Sequence, residues 1–322
     1  MISRRAFLLG LGATMVGLAG CGTNTASSSS AATKQLKPIT VGFGSFGLGN
    51  APLWVTFEGG YFSKYGLDAK MQYIDPGTVL SALASRDLTF TGSAAGSDVP
   101  AQMQNANIKI IGDYIHFPTP ALLVQSSIKS AQDLKGKKFA VAGGTAEFLT
   151  KLGLSRLGLD PSKDLELPRV ANGKALLAAL ETKQVDGAIL SDPDWRSAVS
   201  EGFSLLARLS DLKIDYEQQT VIGNADYMRS YPDITVNFLR AVTDGLQRFK
   251  QDHDFTQQVF NKYLKDNPLS PELFDASYKD AASMWAGELT INLAGIATVL
   301  QAVGAGGKPE DYVDTSYLAQ IK

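Results

Sequence analysis

Cysteine occurs once in the 322 residues and histidine only twice. A single cysteine permits no internal disulfide, which excludes the small stapled scaffolds of secreted peptides. One cysteine and two distant histidines, His116 and His253, cannot supply the four ligands of a structural zinc site, so no metal and no cofactor is expected. Charge of one sign is also lacking: 30 Lys and Arg stand against 32 Asp and Glu, a net charge of −2. Without a basic stripe, nucleic acid is not an expected partner. Glycine and proline, at 31 and 13, follow no short period, which excludes collagen-like chains. What is present is a 44% apolar composition, enough to bury a sizeable core.

The first residues read as an address. Ser3-Arg4-Arg5-Ala6-Phe7-Leu8-Leu9 opens an apolar stretch that ends in Leu18-Ala19-Gly20-Cys21. A charged start, a short apolar run and small residues at its end make a secretory signal. The run is too short and glycine-rich for a spanning helix, which needs ~20 apolar residues. Ser-Arg-Arg-x-Phe-Leu resembles the twin-arginine export signal. Leu-Ala-Gly-Cys resembles the bacterial lipobox, which implies acylation of Cys21. Residues 1–21 are thus expected to be a signal and 22–36 a low-complexity tether, holding an exported body at a membrane surface.

The body alternates strands and helices, the pattern of an α/β protein with mainly parallel sheets. Ile39 to Phe43, Leu67 to Ile74, Leu88 to Thr91 and Ile108 to Gly112 read as strands. Asn50 and Pro52 read as the cap and first turn of a helix. The order recurs about a hundred residues on: Thr40-Val41 feeding Gly44-Ser45 is matched by Ala140-Val141 feeding Gly143-Gly144-Thr145. Leu80-Ser81-Ala82-Leu83 before Arg86 is likewise matched by Leu177-Ala178-Ala179-Leu180 before Lys183. A near-repeat of this length means two lobes of like construction, because a solenoid repeats every ~20–50 residues. From Tyr231 the pattern changes to long amphipathic helices. Two such lobes predict a cleft between them.

Ala51-Pro52-Leu53-Trp54, Glu58-Gly59-Gly60-Tyr61-Phe62 and Tyr65-Gly66-Leu67-Asp68 resemble the opening of the nitrate/taurine-type (aliphatic sulfonate) substrate-binding proteins of ABC importers. Asp133-Leu134-Lys135-Gly136-Lys137 and Val185-Asp186-Gly187-Ala188 continue the likeness, which has thiamine-pyrimidine-precursor-binding relatives. It departs at Arg86 and Lys183, where glycine is common. The fold it implies is the type II periplasmic-binding fold. Lobe 1 would comprise 37–124 with 222–322 and lobe 2 would comprise 125–221, joined by crossings at Tyr114 to Gln125 and Thr220 to Asp226.

Signals for catalysis are weak. Gly42-x-Gly44-x-x-Gly47 matches a dinucleotide fingerprint, but the helix signal waits until Asn50-Ala51-Pro52. No Walker sequence and no Gly-x-Ser-x-Gly elbow occurs, and neither histidine has an acidic partner at a fixed spacing. The cysteine-rich iron motif of the enzymatic yeast relative is absent, so no enzyme is expected.

The turns at strand ends carry the expected ligand site: Ser45, Phe46, Leu48 and Asn50; Ser93 and Ala94; Gly144, Thr145 and Ala146; Asp192 and Trp195. Gly143-Gly144-Thr145 before a helix would leave N–H groups free for an oxyanion. Tyr114, His116 and Phe148 join Phe46 and Trp195 as candidate walls. No Lys or Arg falls inside these turns, which favours a singly charged or neutral organic ligand. The resemblance implies an organic sulfonate or carboxylate, with a neutral nitrogen heterocycle as the alternative. It also implies a monomer that works with a permease and an ATPase; an exported enzyme or a sensor subunit on the same fold remain alternatives.

Overall fold

The computed structural model describes residues 35–265 and 268–321, so the expected signal, Cys21 and most of the tether lie outside the described residues. Lobe 1 contains β1 (Lys37–Phe43), β2 (Leu67–Tyr73), β3 (Phe90–Ser93) and β4 (Ile108–Asp113). Lobe 2 contains β5 (Ala121–Val124), β6 (Lys137–Ala140), β7 (Leu165–Glu166), β8 (Gly187–Leu190) and β9 (Ser204–Arg208). Strand β10 (Thr220–Asn224) returns to lobe 1. The first sheet runs β2-β1-β3-β10-β4 and the second β7-β6-β8-β5-β9.

The two orders are the same once each lobe is counted from its own first parallel strand. In each sheet the strand that arrives directly from the other lobe, β10 or β5, is inserted antiparallel beside the third parallel strand. A strand entering from outside needs no helical crossover and is free to run against its neighbours. The sequence-level repeat is therefore a repeat of topology. This insertion also moves the boundary expected at 124/125. Ala121–Val124 pairs with β8 and β9 in the second sheet, so the first crossing is 114–120. The second crossing, expected at Thr220 to Asp226, is 213–219, because Thr220–Asn224 is itself the inserted strand of the first sheet. Apolar strand composition alone does not say which sheet a strand joins.

The helices of the parallel units are α1 (Ala51–Glu58), α2 (Tyr61–Lys64), α3 (Val79–Ala84) and α4 (Ala95–Met103) in lobe 1, and α5 (Thr145–Arg156), α6 (Gly173–Glu181) and α7 (Asp194–Ser200) in lobe 2. Helices α8 (Ala225–Ser230), α9 (Pro232–Gln251), α10 (His253–Tyr263), α11 (Pro271–Met284) and α12 (Leu293–Ala302) complete lobe 1. The turns after α3 and α6 place Arg86 at φ 70° and Lys183 at φ 55°. This is the left-handed region that only glycine enters freely, which accounts for glycine being common at both equivalent positions.

Helix α9 buries Val236, Phe238, Leu239, Val242, Leu246 and Phe249, the three-and-four spacing of one helical face. That face packs on α1 and the first sheet, where Phe90 and Phe238 stack with centroids 4.0 Å apart. Each such phenylalanine contributes roughly 1.5–3 kcal/mol by leaving water. A second apolar cluster runs from α3 and α4 through Ile296 and Val299 of α12 into the core of lobe 2. It leaves the strand-end loops of both lobes facing one another.

Candidate functional site

Between these loops lies a cavity of about 110 Å³. Lobe 1 contributes Ser45, Leu48, Met284 and Trp285; lobe 2 contributes Ser191, Asp192, Trp195, Arg208 and Ser210; the crossings contribute Phe117, Thr119, Gln218 and Gln219. A water needs roughly 10–15 Å³ on this measure, so the space suits a small molecule.

The loop after β1 is held from behind. Asn50, buried, donates from Nδ2 to the Ser45 carbonyl at 3.1 Å and to Ser45 Oγ at 2.9 Å. Its Oδ1 accepts from Gln219 Nε2 at 3.2 Å. The cap bond expected of Asn50 is not made, because its side chain is committed to this loop. Tyr114 Oη donates to the Gly49 carbonyl at 2.6 Å. A Cβ on Gly49 would sit 2.6 Å from Gln219 Oε1, so a side chain there would displace the Gln219 amide that Asn50 Oδ1 holds. Asn50 and Tyr114 thus position the cavity wall without lining it. Phe46 turns outward, 42% exposed, and stacks on Tyr73 with centroids 5.0 Å apart.

His116 also lies behind the cavity. Its Nδ1 is 3.1 Å from Glu217 Oε1 and its Nε2 is 2.7 Å from Thr290 Oγ1, so the histidine does have an acidic partner, 101 residues away in the other crossing. The Asn292 N–H donates to the same Glu217 oxygen at 2.6 Å. Asp113 accepts from the backbone N–H of Ile115 and, at 3.0 Å, from that of Gln219. Burial, and then the charge of Glu217, hold the Asp113 carboxyl well above the usual carboxylate range. Donor atoms of Asp113, His116 and Glu217 lie within 4.8 Å of one another, near enough to share a cation. Both carboxylates are already engaged by N–H groups, however, and the cluster reads as the stitching of the two crossings.

A different edge of the lobes brings together Ser93, Ala94, Gly144, Thr145 and Ala146. Ala94 caps α4, Gly144 caps α5, and the two helix starts meet. Ser97 Oγ is 2.8 Å from Thr145 Oγ1, the Gly96 N–H donates to Tyr216 Oη at 3.0 Å, and Phe148 stacks on Tyr216 at 5.7 Å. The N–H-rich turn expected to receive an oxyanion therefore abuts the other lobe. Gly144, at φ +65°, faces Ser97 and not the cavity.

Of the expected contact residues, Ser45, Leu48, Asp192 and Trp195 share the cavity wall. Four residues that sequence reasoning missed, Arg196, Arg208, Ser277 and Asp280, make a polar seam with Asp192, and all but Arg196 line the cavity. Arg196 Nε donates to Asp192 Oδ2 at 2.7 Å, and Ser277 donates to Asp192 across the cleft. Arg196 meets Asp280, and Arg208 reaches the same carboxylate at 3.1 Å. The two guanidinium carbons lie 4.3 and 5.7 Å from the Trp195 ring centroid. A cation borders the cavity although none lies in the turns. It comes from the end of β9, and its partners come from α11, which no local spacing connects.

Residues 49–254 match the family described as NMT1/THI5 like. The chain belongs to the NMT1/THI5-like family. A putative ABC transporter periplasmic binding protein of Brachyspira hyodysenteriae is 24% identical over 276 residues, 79% of this chain and 76% of that one. The bicarbonate-binding protein CmpA of Synechococcus elongatus is 23% identical over 76% of this chain and 64% of its own length. The periplasmic aliphatic sulphonate binding protein SsuA of Escherichia coli superposes with a TM-score of 0.71 at 18% identity, covering 83% of this chain and 86% of that one. The fold of this NMT1/THI5-like protein is thus the periplasmic binding protein fold, as the resemblance implied.

Proposed function

We propose that this NMT1/THI5-like protein is the solute-binding component of an ABC importer, capturing a small organic molecule between its lobes and delivering it to a permease. The observation that carries this reading is the cavity, walled by strand-end loops of both lobes and by the two crossings that join them. Such interfaces are where small ligands bind, and closure of lobes about crossings is how they are enclosed. The Brachyspira and SsuA relatives support the same class. A singly charged sulfonate or carboxylate is the favoured ligand. Hydroxyls of Ser45, Thr119, Ser191 and Ser210 offer donors, and the fixed charges of Asp192, Arg196, Arg208 and Asp280 compensate one another. A neutral heterocycle is the second reading, favoured by Trp195 and Trp285 on the wall.

A thermal-shift screen of sulfonates, carboxylates and vitamin precursors tests the reading. A ligand at 100 times its Kd is expected to stabilise the fold by ~2.7 kcal/mol, raising Tm by several degrees. Its binding is expected to change the fluorescence of both Trp195 and Trp285, which line the cavity, and to leave that of the fully buried Trp54 unchanged. No shift with any compound sinks the importer reading.

Export and anchoring through Cys21 complete the proposal, on the strength of Leu18-Ala19-Gly20-Cys21. Cys21→Ser is expected to leave the membrane fraction with ligand binding intact. An unprocessed variant that stays membrane-bound counts against lipidation.

A further inference from the structure

Arg208 is the one cation among the described residues that line the cavity. Its guanidinium carries five N–H donors in a fixed fork. Among the described residues its Nη2 forms an ion pair with Asp280 Oδ2 at 3.1 Å and a long contact to the Met284 sulfur at 3.9 Å. The acids nearby are differently placed. Both oxygens of Asp192 are engaged, one by Arg196 and one by Ser277, and Asp280 is shared by two arginines. Both arginines meet Asp280 at Oδ2, so acceptor capacity remains on Asp280 Oδ1, and the unspent donor capacity of a charged group at the cavity wall is that of Arg208.

The same contacts bridge the lobes. Asp192, Arg196 and Arg208 belong to lobe 2, while Ser277 and Asp280 belong to α11 of lobe 1. Opening the cleft separates Ser277 from Asp192 and both arginines from Asp280. Arg196 is 16% exposed, Arg208 29% and Asp280 36%, so water screens these pairs less than it screens surface pairs.

We propose that Arg208 couples ligand capture to lobe closure: its contact with Asp280 ties lobe 2 to lobe 1, while its remaining N–H groups take an oxyanion of the ligand. This rests on the importer reading and deepens it by naming the residue that selects an anion. Arginine suits the task because its planar fork serves two acceptors at once, which a lysine ammonium does less well. Asp280 acts through Arg208 and is a positioning residue.

The test combines calorimetry and small-angle scattering on the wild-type chain, Arg208→Gln, Arg208→Lys and Asp280→Asn, each first checked for an unchanged circular dichroism spectrum. The probes are methanesulfonate, propionate and the neutral near-isostere dimethyl sulfone. Wild-type protein is expected to bind at least one anion 10-fold or more tighter than the sulfone. Arg208→Gln should lose at least 10-fold, about 1.4 kcal/mol, together with that preference, and Arg208→Lys should fall between. Asp280→Asn should keep the preference, bind about 3- to 10-fold more weakly, and scatter as a more open particle. Should Arg208→Gln fold poorly, Arg208→Lys and Asp280→Asn carry the comparison. Wild-type affinity and compactness in Arg208→Gln or in Arg208→Lys with Asp280→Asn overturn the proposal. So does a wild-type protein that binds none of the anions or prefers the sulfone. If the broader screen still finds a neutral ligand, the importer reading stands and only Arg208's role falls. If it finds none, the importer reading falls with it.

Discussion

Gly245→Ala is expected to destabilise the protein by about 3 kcal/mol, and Gly245→Val to prevent folding altogether. Gly245 lies inside α9, where alanine would ordinarily gain up to ~1 kcal/mol over glycine in helix propensity. The opposite sign is expected because α9 crosses α1 at this residue. A Cβ here would overlap the Thr56 hydroxyl and lie 2.7 Å from Thr56 Cα. Thr56 is itself fully buried, and its hydroxyl is held by the Pro52 carbonyl at 2.7 Å. Backbone cannot step aside as a flexible side-chain end can, so two helices must part and their shared aromatic packing loosens. Urea unfolding measures the effect; an alanine variant as stable as the wild type would show that the helices separate at little cost.

The second large effect concerns pH. Asp98 in α4 is fully buried, with Oδ2 accepting from Thr220 Oγ1 at 2.5 Å and Oδ1 without a partner. Burial raises its pKa from 3.8 to about 7, against the opposing pull of the Thr220 hydroxyl. The native state then holds a proton that the unfolded chain releases near pH 4. Stability from this group is complete below that pH and is lost as pH rises toward 7. The difference corresponds to roughly 4 kcal/mol. Burial acts on Asp113 in the same direction. Asp98→Asn cannot ionise, so the fall in stability between pH 4 and pH 8 should shrink by roughly 4 kcal/mol relative to the wild type. Its absolute stability is less diagnostic, because the new amide must find a partner where Oδ1 has none. Unfolding free energies at four or five pH values decide the matter: parallel curves for the two proteins would mean that Asp98 is ionised in the fold.

These two residues illustrate how unevenly the site and fold are written in the chain. The spacing of Val236, Leu239, Val242 and Leu246 marks a helix and its buried face, but nothing local says that Gly245 is where another backbone passes. The alternation of Ile39, Val41 and Phe43, with Gly44 at its end, marks a strand and a turn, and that turn does reach the cavity through Ser45. Phe46, one residue further, lies instead on Tyr73, because aromatic rings go where a partner ring is available.

What the sequence determined by itself is therefore whatever depends on period and on nearest neighbours. The α/β class, the repeat of two lobes and the helical completion after Tyr231 all follow from short-range patterns. What only the tertiary structure decided is everything made by residues far apart in the chain. The exchange of β5 and β10 between sheets, the pairing of His116 with Glu217, and the gathering of Arg208, Ser277 and Asp280 around Asp192 are of this kind. Each depends on two chain crossings closing long loops, 85 residues between Asp192 and Ser277 and 101 between His116 and Glu217. Hydrogen bonds and ion pairs formed across such loops leave no periodic trace, because the partners' spacing is set by everything that folds between them.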